Sequence, residues 1–170
     1  MPKNKFSIIQ KKFKKIAGFA LLPRKTNFLE SNLERCDNLF ESLSRLYFDY
    51  PQKVQQIKKE VGHWLSWEKN SETLLALAGY IFYLIEDFVL AKKFFLKAIS
   101  VNPDNLDNWR DLAFALRHLG EEEISRAILF NFDYVIYYYN YLGLEASNYR
   151  KLKEMILAIQ KKAYAEKSDN

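Results

Sequence analysis

Apolar residues recur at helical spacing along almost the whole chain. Phe6, Ile9, Phe13, Ile16 and Ala20 step by 3, 4, 3 and 4, and Ile8, Phe19 and Leu22 widen their face. Leu22-Pro23 closes that segment. Leu29, Leu33, Cys36, Phe40, Leu43, Tyr47 and Tyr50 then keep the same period, with Pro51 as the next stop. Val54, Ile57, Val61, Trp64 or Leu65, and Trp67 form a face over 51–69, with both indoles expected to be buried. Two further helices are expected between Glu72 and Pro103, and two more after Leu106. The last is expected after Gly143, capped by Ser147, with Tyr149, Leu152, Met155 or Ile156, and Ile159 on its apolar face.

The stretch from Glu72 to Pro103 has the most specific pattern. Leu75, Ala78, Gly79 and Phe82 are followed by Ala91, Phe95, Ala98 and Pro103. Two helices that cross closely need small residues at the crossing, here Gly79 and Ala91, with large apolar residues to either side. Pro103 lacks an amide donor and ends the second helix. Asn102-Pro103-Asp104-Asn105 reads as a turn.

This spacing resembles a tetratricopeptide repeat, with Leu75 and Phe82 in place of the usual Trp and Tyr. A shift of 34 residues brings up Trp109, Leu112, Ala113 and Leu116, a second match, with Gly120 at a helix end. The shifted copy decays at Phe132 and Tyr137, so the resemblance runs from Glu72 to about Asn131. It implies an all-α fold, a short α-solenoid of stacked helical hairpins. In that layout 1–25 is a basic amphipathic arm and 26–170 the helical domain. Residues 26–71 are a degenerate hairpin or cap, 72–105 a repeat, 106–143 a divergent repeat and 144–165 a capping helix.

Composition narrows the class without naming a partner. The chain has 170 residues, 49% hydrophobic, with five Gly and four Pro, which suits helices. The net charge of +5 is unevenly spread. Eight of the 26 basic residues lie in 1–25 beside no acid, leaving 18 against 21 acids elsewhere. Lys11, Lys12 and Lys15 with Phe6, Ile9, Phe13 and Ile16 make the arm suited to an anionic membrane surface or a partner. The bland alternative packs it on the solenoid with its lysines in water. Nucleic acid is disfavoured, because no aromatic-interleaved basic platform extends beyond the arm. A secretory leader is disfavoured by the short apolar run 16–22; an organellar one would suit the missing acids but not the Lys-rich, single-Arg composition. The single cysteine, Cys36, and the lack of a membrane-spanning run favour the cytoplasm, with membrane association through the arm as the alternative.

No catalytic centre, metal site or cofactor is expected. His63, His118 and Cys36 have no metal-ligand spacing, and no Gly-rich phosphate loop is present. Glu121-Glu122-Glu123 reads as the first turn of a helix, where acids oppose the dipole. Phe130 to Tyr141 holds seven aromatics that no single helical face can bury; core helix and exposed binding patch both remain open readings.

The tetratricopeptide resemblance implies that the first helix of each repeat lines a concave groove for a peptide or helix of another protein. In this chain the corresponding residues are Thr73, Ala76, Leu77, Tyr80 and Tyr83, then Asp107, Arg110, Asp111, Phe114, Arg117 and His118. The chaperone-binding branch clamps a terminal carboxylate with Lys and Asn; Ala76 and Tyr80 occupy those positions here, so that clamp is absent. The expected function is a non-catalytic scaffold or adaptor. The alternatives are a small tetratricopeptide-like chaperone of a secretion or assembly system, or a membrane-surface assembly factor anchored through residues 6–22.

Overall fold

The computed structural model describes residues 51–67 and 69–168, all helix and connecting turn. The arm, the 26–50 segment, Cys36 and the burial of Trp64 and Trp67 lie outside what is described. The chain divides into two units, Met1–Trp67 and Glu68–Asn170. In the first unit, α1 spans Pro51–Trp67. It starts on proline, which has no amide to leave unpaired at a helix N-terminus. Val61 is buried and His63 is exposed.

The second unit contains six helices. They are α2 (Glu72–Leu84), α3 (Phe88–Val101), α4 (Leu106–His118), α5 (Glu122–Phe130), α6 (Phe132–Tyr141) and α7 (Tyr149–Ser168). Each of α2 to α5 packs on the next, α2 also touches α4, and α7 covers α5 and α6. Among the described residues no helix is long and apolar enough to cross a membrane.

Local chemistry sets the ends of these helices with a recurring offset. Ser71 caps α2 by accepting from the Leu74 amide at 3.4 Å. Asn105, 34 residues later, caps α4 by accepting from the Asp107 amide at 3.0 Å. The starts of α3 and α5, Phe88 and Glu122, are also 34 residues apart. Gly120 ends α4 at φ 81°, with its amide bonded to Arg117 O and the Glu121 amide bonded to Leu116 O. The equivalent position after α2 is Glu86, at φ 63°, with the same pair of bonds one period earlier. A left-handed glutamate is costly, and the turn's two bonds help to hold it there. As expected, α3 stops ahead of Pro103, at Val101.

The close crossing of α2 and α3 is made at Gly79. A Cβ built there would stand 2.6 Å from Cε1 of Phe95, a fully buried ring. Phe82 stacks on Phe94 beside it, 5.4 Å between centroids. The core then runs through Phe95 and Ile99, Trp109 and Leu112, Ile124 and Ile128, Val135, Leu152 and Ile156. Trp109 is buried, its indole N–H donating to Pro103 O at 2.7 Å and its ring meeting the Tyr139 edge.

The 34-residue period ends at Asn131. Where α3 has 14 residues, α5 has 9. Asn131 is buried, and its amide donates to Ala127 O and to Gln160 Oε1 on α7, both at 2.9 Å. Those bonds turn the chain, so residues 106–143 form three helices rather than two. One local expectation is corrected by the side chains. The α7 start is capped by Asn148, which accepts from the Lys151 amide, while Ser147 bonds Glu145 instead. Glu122 and Glu123 lie in the first turn of α5 as expected, while Glu121, its N-cap residue, makes no cap bond to its own helix. Glu121 accepts from the Tyr149 hydroxyl at 2.7 Å, Lys92 at 3.1 Å and Lys153 at 3.3 Å, joining α3, α5 and α7.

Candidate functional site

The residues assigned to a groove by resemblance fall on α2 and α4, which touch and whose starts are one period apart. Their side chains are not all available. Ala76 and Leu77 are buried, as is Asp111. Thr73, Tyr80, Tyr83, Asp107 and Arg110 are half-buried. Phe114, Arg117 and His118 are exposed.

The tightest grouping lies at the C-terminal ends of the two helices. The Tyr83 hydroxyl is hydrogen-bonded to His118 Nε2 at 2.9 Å. Tyr83 meets the His118 ring edge-on at 5.4 Å. Phe88, the first residue of α3, stacks flat on His118 with centroids 4.3 Å apart and planes 3° apart. Tyr83 also packs edge-on against Phe88, and Tyr80 lies parallel to Tyr83 at 6.3 Å. These four rings form a continuous aromatic platform. Next to it Arg110 pairs with Asp107 at 2.9 Å and Asp111 at 3.6 Å.

Burial raises the Tyr83 phenol above its usual range, helped by the Tyr80 ring and the Asp111 charge and opposed by Arg117. The shift favours the protonated phenol. Among the described residues no three His, Cys, Asp or Glu side chains gather where they could hold a metal. The site offers flat apolar area edged by Arg117 and the Arg110 pairs. Such a surface offers contact area to apolar side chains.

The sequence reading brought Tyr83 and His118 into one list but missed Phe88. The signal was present, since Phe88 follows an Asp87 N-cap that accepts from the Leu90 amide at 3.1 Å. The family pattern assigns grooves to first helices, and Phe88 opens a second one. Glu72 was also missed. Its carboxylate accepts from the side-chain amides of Asn102, Asn105 and Asn108, at 3.0, 2.6 and 2.9 Å. It thereby holds the α3–α4 turn against the start of α2.

Compared with family models, curated proteins and solved structures, the chain matches none.

Proposed function

We propose that the chain is a non-catalytic interaction scaffold carrying two tetratricopeptide-like hairpins, α2–α3 and α4–α5, and that it binds a peptide or helix of a partner protein on the α2–α4 face. The observation that carries this reading is the 34-residue recurrence of caps and turns, from Ser71 to Asn105 and from Glu86 to Gly120. It coincides with the sequence period of the family pattern. Two copies placed in register bring their first helices side by side, and a partner segment lies across such a pair. The exposed Phe114 and Arg117, beside the Tyr83–His118–Phe88 platform, supply an apolar anchor and a cation for it.

The test is affinity capture with the full chain and with a Phe114→Ala, Arg117→Ala variant. Both residues are exposed, so the variant keeps its helicity by circular dichroism. A partner held by the parent and lost by the variant supports the reading. A partner held equally by both removes the α2–α4 face from consideration.

A further inference from the structure

The aromatic run that the groove does not use is concentrated on α6. This helix carries a single charge, Asp133, and buries only Val135 and Tyr139. Tyr134, Tyr137 and Tyr141, spaced by 3 and 4, stand 60%, 59% and 72% exposed. Tyr137 and Tyr141 lie with their rings parallel, planes 9° apart and centroids 5.9 Å apart. Beside them opens a shallow cavity of about 670 Å³. Its apolar side is Leu106 and Ile136, its polar side is Asp104 and Asp133, and among the described residues no cation lines it. Asn140 donates to Asp104 at 2.9 Å and orients that carboxylate.

We infer that this surface binds a proline-rich segment in the extended polyproline conformation, with lysine or arginine next to the prolines. Parallel phenol rings one helical turn apart present flat apolar faces, and proline rings pack against such faces. A polyproline helix has no internal hydrogen bonds, so its carbonyls are open to hydroxyl donors such as those of Tyr137 and Tyr141. It also loses little conformational entropy on docking. The two carboxylates select the charge: they pair with basic residues and repel an acidic segment or a phosphate backbone. A second copy docked through this same patch would bring two more acids and no cation from the patch lining, leaving the four carboxylates unmatched within that contact. This inference is independent of the α2–α4 face.

Fluorescence anisotropy of the full chain tests it. The probe is a labelled peptide with two Pro-x-x-Pro units bracketed by arginines. The controls replace its prolines by alanine or its arginines by glutamate. The parent should bind the probe and neither control. Tyr137→Ala with Tyr141→Ala should weaken binding by roughly tenfold, the loss expected of hot-spot aromatics. Asp133→Asn should weaken it by roughly threefold and flatten its salt dependence. The Phe114→Ala, Arg117→Ala variant should bind the probe as the parent does, which separates this site from the groove. Equal binding of the alanine control, or an unchanged double-tyrosine variant, overturns the inference. So does sedimentation showing a dimer that the double-tyrosine variant dissociates, since the stripe would then be a self-association surface.

Discussion

Gly79 and Phe95 approach so closely that no side chain fits between them: a Cβ on residue 79 would lie 2.6 Å from Cε1 and 2.7 Å from Cδ1 of the ring. Gly79→Ala gains about 1 kcal/mol of helix propensity. It must also displace a fully buried ring, which costs about 1–3 kcal/mol. We expect a net loss of up to about 2 kcal/mol in urea unfolding. Phe95→Leu alone should be destabilising, but in the double variant the two costs should be less than additive. A Gly79→Ala protein more stable than the parent would mean that the Phe95 ring gives way at the crossing without cost.

Glu86 holds φ 63° at the turn after α2, where the equivalent turn after α4 has Gly120. Glu86→Gly removes a left-handed strain of about 1–2 kcal/mol and adds some unfolded-state entropy. A net gain of about 0.5–1 kcal/mol should appear as a higher urea midpoint with the same slope. Gly120→Ala should do the reverse, through its φ alone, since open space surrounds its Cβ.

Partial burial pushes the Glu121 carboxyl up, but bonds from Tyr149, Lys92 and Lys153 outweigh it and hold the pKa below its usual 4.5. A depressed folded pKa gives stability that is present above the unfolded value and lost as pH falls through the folded one. The parent should therefore lose stability as pH falls below about 4.5, the unfolded value. Glu121→Gln should be weaker near neutrality by about 1–2 kcal/mol and should flatten that acid limb. Burial raises the Tyr149 phenol, and the Glu121 bond raises it further. Tyr149→Phe should accordingly couple to Glu121→Gln in a double-mutant cycle and act additively with distant changes.

Asn131 and Gln160 share a buried amide bond at 2.9 Å where α5 gives way to α6. Asn131→Leu leaves the Gln160 carbonyl unpaired and should cost about 1–3 kcal/mol in thermal or urea unfolding. Replacing both by leucine should recover part of that loss. If the single change is neutral, the bond does not hold the break between the helices.

The legible parts of the fold were those governed by neighbours in sequence. Gly79, Ala91 and Pro103 announced two helices and their crossing, and Gly120 announced the end of α4. Glu86 hid the equivalent turn, because glutamate carries no signal for a left-handed conformation. Asn131 hid the break before α6, because its role depends on Gln160, 29 residues away. The candidate groove was legible as a set of positions on two helices. Burial then removed Ala76, Leu77 and Asp111 from its surface and added Phe88.

By itself the sequence determined that the described residues are helical, where most of those helices start and stop, and a 34-residue recurrence. Those follow from apolar periodicity, caps, glycine and proline, which act within a few residues. Only the tertiary structure decided that the tyrosine run is divided. Tyr139 goes into the core against Trp109, while Tyr134, Tyr137 and Tyr141 are left in water. Helical spacing says which tyrosines share a face. Which face is covered depends on where α4 and α7 pack, and that is settled by contacts between residues far apart in the chain.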